Sequence, residues 1–203
     1  MSRALTFPAG TVAHLPDAAA SGELAALLAL ERAGMPLALL ALPAAVEDSL
    51  YRYNNLPARL ARLYAAVDPF DPDEDVLEEV EPEALALLEQ AYLLDDVIDA
   101  VYEGLAGLPD DLVVRRPDEA EGEAVSGRRG ALLALKRLSR HDWLAGAVGA
   151  RLARHASVAV DARPVLVHPR QAGADAALST AAVGVLGRSV VVHAYRGGVT
   201  GVR

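Results

Sequence analysis

Three aspartates near the middle of the chain have a spacing suited to metal chemistry. Asp95 and Asp96 are followed by Asp99, and residues four apart lie on one face of a helix. Carboxylates in that arrangement can bind Mg²⁺, which in turn can hold a diphosphate. Acidic residues are also favoured in the first turn of a helix, where the helix dipole stabilises negative charge. The pattern therefore fits either a metal ligand set or an ordinary helix start.

The pattern resembles the aspartate-rich DDxxD motif of prenyl diphosphate and terpene synthases. Those enzymes also need a second carboxylate cluster, basic residues for the diphosphate and a much longer helical bundle, and this sequence supplies none of them. We therefore predict no metal ligands, and we interpret Asp95 and Asp96 as acids at the start of a helix.

Length and composition exclude several classes of protein. The 203 residues are 53% apolar, which fits one globular domain or two small lobes sharing a core. The absence of cysteine excludes disulfides, thiolate nucleophiles and cysteine-based metal sites. No targeting segment is evident, and the most apolar stretch, residues 35–46, falls short of the about 20 residues that span a bilayer. We expect a cytoplasmic protein without a membrane span.

Charge is unevenly distributed along the sequence. Residues 1–67 are neutral, residues 68–125 carry a net charge of −18, and residues 126–203 carry +9. The acidic middle could hold a basic protein partner or the basic last third of a second copy, or it could be a solvated helix surface. Nucleic-acid binding is not expected, because the basic third has few aromatic residues and almost no lysine.

Hydrophobic spacing predicts helices first and strands afterwards, which indicates an α+β fold. Residues 83–105 fit one amphipathic helix or two helices broken near Leu94. The other predicted helices cover residues 21–34, 44–53, 57–67, 130–144 and 145–155. The predicted strands cover residues 37–42, 111–115, 157–160, 164–168 and 189–195. With the proline-rich loop 68–75 as a boundary, we expect three segments, 1–67, 68–106 and 107–203, in one compact unit.

A second resemblance extends over nearly the whole chain. Ser21, Gly22 and Glu23 precede a leucine-rich helix and the sequence AGMP, and VVRRP and AVSGR follow much further on. This order resembles the GGK turn, the AGLP step, the VRSS segment and the SFAGQ turn of the N-terminal ATP-binding domain of the pyruvate phosphate dikinase and phosphoenolpyruvate synthase family. Residues 157–168 and 190–201 resemble later strands of that domain, so an ATP-grasp-like lobe is implied, with a helical first half and a small, mostly antiparallel sheet in the second.

The resemblance also implies which residues would contact ATP or another nucleotide. Arg115 stands at the VRS arginine, Gly22 lies in the GGK turn, and Gly197 and Gly198 belong to the final glycine turn. The family's lysine and arginine neutralise nucleotide phosphates, but Glu23 stands at the lysine position. Arg116 and Pro117 replace the serines after Arg115, and His193 replaces a strand glutamate.

Each of these positions also has a structural interpretation. Arg115 could pair with an acidic residue instead of a ligand, and Glu23 could simply occupy the first turn of a helix. His193 fits a packed histidine better than a general base, since no catalytic partner is evident. Gly197 and Gly198 fit a tight turn as well as a phosphate cradle. His141 and Asp142 precede Trp143 and fit a helix junction better than a catalytic dyad.

Three functions follow as hypotheses. We favour a non-catalytic relative of the nucleotide-binding domain that acts by binding, without catalytic residues and without a certain cofactor, although a nucleotide remains a candidate ligand. A scaffold that uses its acidic surface is the first alternative. The second is one half of an ATP-dependent phosphotransferase whose missing residues come from another chain.

Overall fold

Helices combine with two small antiparallel sheets, which confirms the α+β class predicted from the sequence. The computed structural model describes residues 6–15, 21–155 and 157–203. Within those ranges the α-helices are α1 (Gly22–Arg32), α2 (Ala44–Tyr53), α3 (Leu56–Leu63), α4 (Glu74–Gln90), α5 (Asp95–Gly104), α6 (Gly127–His141), α7 (Ala145–His155) and α8 (Ala176–Leu186). The strands are β1 (Leu40–Leu42), β2 (Asp111–Arg115), β3 (Glu123–Ser126), β4 (Val165–Pro169), β5 (Gly173–Ala174), β6 (Val192–Tyr195) and β7 (Gly198–Val202).

Several predicted helices are confirmed closely. Helices α2 and α7 have the predicted bounds. The long amphipathic pattern is two helices, because α4 ends at Gln90 and α5 begins at Asp95. Asp73 begins α4 as its N-cap, with its carboxylate accepting a hydrogen bond from the Asp75 N–H at 3.0 Å. The proline-rich loop 68–75 therefore leads directly into helix α4.

The larger sheet has the strand order β1–β4–β2–β3, and every neighbouring pair is antiparallel. Its centre is apolar, since Val114 of β2 lies opposite Val167 of β4 and both are buried. In this sheet, Arg115 at the end of β2 lies opposite Leu166 of β4.

The smaller sheet has the order β5–β6–β7. Strands β6 and β7 form a hairpin in which Arg196 and Gly197 both have positive φ, at 49° and 81°, as a two-residue type I′ turn requires. The register shifts between His193 and Ala194, so that His193 faces Gly201 and Thr200 is the extra residue of a β-bulge. Bulges redirect side chains, and this one determines where Thr200 lies.

One prediction for the last third is wrong, and one helix there was not predicted. The strand predicted over residues 157–160 is wrong: the segment forms no sheet pairing, although it is rich in valine. Within this segment the Ser157 hydroxyl accepts a hydrogen bond from the Ala159 N–H at 3.1 Å, which is a local contact. Helix α8 was not predicted from hydrophobic spacing, because it is almost uniformly apolar or small. Its ends were visible in the sequence, with Asp175 as the N-cap and Gly187 as the left-handed C-cap.

The chain divides into two compact units. The first contains the described residues up to Ala44 together with Asp95–Ala134 and Arg163–Arg203. Both sheets belong to it, and helix α1 packs between α8 and β7 through Leu27, Leu30 and their buried neighbours. The segment before β1 also runs parallel to β7, through a bridge between Leu37 and Val199.

The second unit contains the described residues of Ala45–Leu94 and Leu135–Ala162. Helix α4 packs there against α3 and α7. The Trp143 ring lies 5.8 Å from Tyr64, and the Arg151 guanidinium lies 5.1 Å above the Trp143 ring. Over the described ranges, none of the helices combines the length and apolarity that crossing a bilayer requires.

Candidate functional site

The first unit contains a buried ion pair between Glu23 and Arg115. Glu23 lies in the first turn of α1, and Arg115 is the last residue of β2. The two guanidinium Nη atoms each donate to a different carboxylate oxygen, at 2.6 Å in both cases. Only 4% of Glu23 and 3% of Arg115 is exposed. The geometry is the bidentate arrangement that a planar guanidinium favours with a carboxylate.

Backbone groups complete the environment of the Glu23 carboxylate. The N–H of Asp118 donates to Oε2 and the N–H of Val202 donates to Oε1, both at 3.0 Å. The Asp118 carboxylate in turn accepts from the Glu23 N–H at 2.7 Å. Glu23 therefore connects α1, the loop after β2 and the end of β7, so the ion pair ties together three separate parts of the first unit.

These contacts determine the ionisation of Glu23. Burial by itself raises the pKa of the carboxyl, but the hydrogen bonds and positive charge of Arg115, with the two backbone N–H groups, outweigh burial and hold the pKa below its usual value. Glu23 is consequently a carboxylate at neutral pH, and its negative charge is directed at Arg115.

Arg115 has further partners besides Glu23. Its Nη1 donates to the carbonyl oxygens of Arg116 and Glu119, at 3.1 Å and 3.3 Å. Its Nε donates to Nε2 of His168 at 3.3 Å. Since guanidinium groups only donate, His168 must accept at Nε2, and its Nδ1 then donates to the Pro169 carbonyl oxygen 3.0 Å away. Burial and the charge of Arg115 lower the pKa of His168, as a neutral imidazole in this position requires.

Close backbone approach explains two glycines around the pair. A Cβ on Gly201 would lie 2.7 Å from Nη2 of Arg115 and 2.9 Å from Oε1 of Glu23. Gly22 has a φ of +54°, and a Cβ there would lie 2.3 Å from the Asp118 carboxylate. Because glycine has no Cβ, Gly201 leaves room for the Glu23–Arg115 pair and Gly22 leaves room for the Asp118 carboxylate.

The residues predicted to contact a nucleotide fall in two places. Arg115 and Gly22 lie at the ion pair, whereas Gly197 and Gly198 lie at the β6–β7 turn. A Cβ on Gly198 would be 2.7 Å from Cβ of Ala38, so this glycine permits close packing there. Arg116, at a serine position of the resembled motif, is 2% exposed and donates to the Arg163 carbonyl oxygen at 2.9 Å.

Sequence reasoning missed Asp118 and His168. Asp118 follows Pro117 and has a positive φ of 65°. The Pro-Asp sequence indicates a turn, but it does not indicate that Asp118 contacts Glu23. His168 is the next-to-last residue of the valine-rich strand β4, where a histidine usually packs without a specific role. The contacts of both residues depend on the tertiary fold.

The aspartates with metal-like spacing begin helix α5. Asp96 accepts a hydrogen bond from the Val97 N–H at 2.9 Å, as an acid at a helix start does. In the part of the chain that the structure describes, no group of three or more histidine and acidic residues is arranged to hold a metal ion.

A cavity of about 230 Å³ adjoins the ion pair within the first unit. Its polar wall is formed by Arg115, His168, His193, Thr200 and Arg203. Burial, together with the positive charges of Arg203 and Arg115, lowers the pKa of His193. A second cavity of about 370 Å³ shares Ala120 and Arg203 with the first, and Glu23 and Asp118 contribute to its wall.

No protein-family model matches this chain, and neither a curated protein nor a solved structure matches it.

Proposed function

We propose that this chain is a binding protein and not a phosphotransferase: a non-catalytic relative of the N-terminal nucleotide-binding domain of the pyruvate phosphate dikinase and phosphoenolpyruvate synthase family, with an ATP-grasp-like lobe. The observation that supports this most is that both Nη atoms of Arg115 donate to the Glu23 carboxylate at 2.6 Å, so the guanidinium already has an anionic partner.

Phosphoryl transfer needs positive charge at the phosphoryl oxygens. For Arg115 to supply that charge, a phosphate would have to displace Glu23 and leave its carboxylate buried without a counter-ion. Breaking a buried pair in this way costs about 3–5 kcal/mol. The negative charge of Glu23 would also repel a triphosphate, so the site disfavours the ligand that the resembled family binds.

The fold and the remaining polar groups are compatible with a binding role. The antiparallel sheet β1–β4–β2–β3 provides a small layered lobe, and Arg115 lies at the end of its strand β2. Beside it, His168 is neutral and has both ring nitrogens in hydrogen bonds. A histidine held in this way positions Arg115 and does not exchange protons with a substrate.

The test is an assay of ATP hydrolysis and of phosphoryl transfer to pyruvate, with Mg²⁺ present. We expect the same background rate for the wild type and for Arg115→Met. Arg52→Met is the matched control, because Arg52 is an exposed arginine in the second unit. Turnover by the wild type that Arg115→Met abolishes and Arg52→Met preserves would contradict the proposal.

An acidic surface in the second unit favours a scaffold as the second candidate function. The first turns of α4 expose Glu74, Asp75, Glu78 and Glu79, and Phe70 in the preceding loop is 85% exposed. An exposed aromatic ring beside a run of acids fits a basic partner or a second copy of the chain. Sedimentation at increasing salt tests this, since screening weakens contacts between exposed charges. A monomer at every salt concentration would exclude self-association.

A further inference from the structure

The cavity beside Arg115 contains polar groups that the rest of the fold does not use. Thr200 is 1% exposed, and its hydroxyl has no hydrogen-bond partner among the described residues. The half-buried imidazole of His193 lines the same cavity and likewise forms no hydrogen bond within the described ranges. A buried hydroxyl without a partner is uncommon and destabilising, unless something outside the chain supplies the partner.

Local strand geometry places Thr200 and His193 in the cavity wall. The bulge between β6 and β7 makes Thr200 the extra residue, while His193 stays opposite Gly201. Bulges of this kind often redirect side chains near binding sites. Gly201 also lines the cavity, and the Glu23–Arg115 pair packs directly against it, because a Cβ there would lie 2.7 Å from Nη2 of Arg115.

The charges around the cavity favour one negative charge. Arg115 is neutralised by Glu23, so Arg203 contributes the positive charge that has no acidic partner in the wall. Among the described residues, the exposed Arg203 guanidinium donates to the Ala120 carbonyl oxygen at 2.5 Å, and a guanidinium has five N–H donors. The site can therefore balance a monoanion, whereas a dianion would keep one buried charge without compensation.

The size and lining of the cavity indicate what the uncharged part of a ligand would be. A cavity of about 150 Å³ admits a molecule of benzene's size, so about 230 Å³ has room for a small organic molecule. The apolar part of the cavity wall includes Val113, Ala120 and Ala172. Such a wall suits a short hydrocarbon body better than a fully hydrated inorganic ion.

We propose that this cavity is a binding site for a small monocarboxylate, with the carboxylate oxygens accepting hydrogen bonds from the Thr200 hydroxyl, the His193 imidazole and the Arg203 guanidinium. The inference rests on the proposed function, because it requires Arg115 to remain bound to Glu23. It specifies the ligand class that such a binding domain would take.

The experiment titrates the full chain with butyrate and follows binding by calorimetry and by the NMR signals of the Thr200 methyl group and the His193 ring. Butyramide has nearly the same size without the charge and serves as the ligand control; inorganic phosphate tests a different anion. We expect saturable binding of butyrate, at least tenfold stronger than that of butyramide or phosphate, with both NMR signals shifted.

Two variants test the contacts. Thr200→Val keeps the shape and removes a hydroxyl that has no partner among the residues that the structure describes, so we expect an unchanged or higher Tm and at least tenfold weaker butyrate binding. His193→Gln should weaken binding by a similar factor. The matched controls, Thr180→Val and His141→Gln, change exposed residues and should leave the affinity unaltered.

The possible results separate this site from the proposed function. Absence of saturable butyrate binding, tighter binding of phosphate, or butyrate binding that Thr200→Val and His193→Gln leave unchanged would overturn the monocarboxylate site. Any of these results in a chain without ATP turnover leaves the proposed function standing. Arg115-dependent ATP turnover together with normal butyrate binding would overturn the proposed function alone.

Discussion

Two arginine–carboxylate pairs in this molecule have similar distances and very different environments. In the first unit, Arg115 and Glu23 are joined at 2.6 Å, and their side chains are 4% and 3% exposed. In the second unit, Arg52 and Asp48 lie one helical turn apart on α2 at 2.8 Å, and their side chains are 76% and 39% exposed. Removing one member of a buried pair leaves a charge without compensation, whereas an exposed charge returns to water. The distance between guanidinium and carboxylate therefore does not determine how much either pair contributes to stability.

Breaking the buried pair should have the largest effect. We expect Glu23→Ala and Arg115→Ala each to lower the free energy of unfolding by about 3–5 kcal/mol, because each leaves its partner buried and charged. Replacing both residues together, as Glu23→Leu with Arg115→Met, should cost less than the sum of the two single changes. Urea unfolding of the three variants measures this. Losses below about 1 kcal/mol for the single variants would show that the two charges are solvated.

Crowding the buried pair should have the next largest effect. Gly201→Ala places a Cβ against both the guanidinium and the carboxylate, and overpacking of this kind costs about 1–3 kcal/mol. Gly173→Ala is the control in the same sheet, because a Cβ there meets no atom within 4 Å. Thermal unfolding should separate the two variants. Equal Tm values would contradict the tight packing around the ion pair.

Acid should weaken the first unit in two pH ranges. The pKa values of His168 and His193 lie below the usual 6.5, so the unfolded chain binds more protons as the pH falls through that value, and stability decreases. The pKa of Glu23 lies below 4.5, so its stabilisation is complete above 4.5 and is lost as the pH falls through the lower folded value.

The pH dependence of chemical unfolding measures both ranges. His168→Gln should flatten the curve near pH 6.5, and Glu23→Gln should flatten it below pH 4.5 while lowering stability at neutral pH. A curve that Glu23→Gln leaves unchanged in acid would contradict the assignment of the lower range.

The exposed pair should contribute least. Asp48→Ala should lower the free energy of unfolding by at most about 0.5 kcal/mol, since exposed i,i+4 pairs have this magnitude and salt screens them. Comparing wild type and variant at low and high salt measures the effect. A loss above 2 kcal/mol would remove the distinction between the two pairs.

Local sequence signals predicted the elements better than the contacts between them. The bounds of α2 and α7 follow from apolar spacing, and β2 follows from its run of aliphatic residues. Helix α8 was missed because its side chains are almost all apolar or small, which leaves no periodic contrast between faces. The segment 157–160 has the valine content of a strand, but valine content cannot show whether a partner strand is available.

The candidate site was predictable only in part. Arg115 and Glu23 were both selected from the sequence, Arg115 with an acidic partner among its alternatives. Glu23 and Arg115 are 92 residues apart, and no local pattern specifies a pairing over that distance. Thr200 was not singled out, because its position depends on a bulge that only the strand register reveals.

Calorimetric titration of Mg-ATP into the full chain tests most directly whether Glu23 makes Arg115 unavailable to a nucleotide. We expect no saturable binding to the wild type and no difference between the wild type and Arg115→Met. Saturable binding to the wild type that Arg115→Met abolishes would contradict the exclusion of nucleotide phosphates by the ion pair.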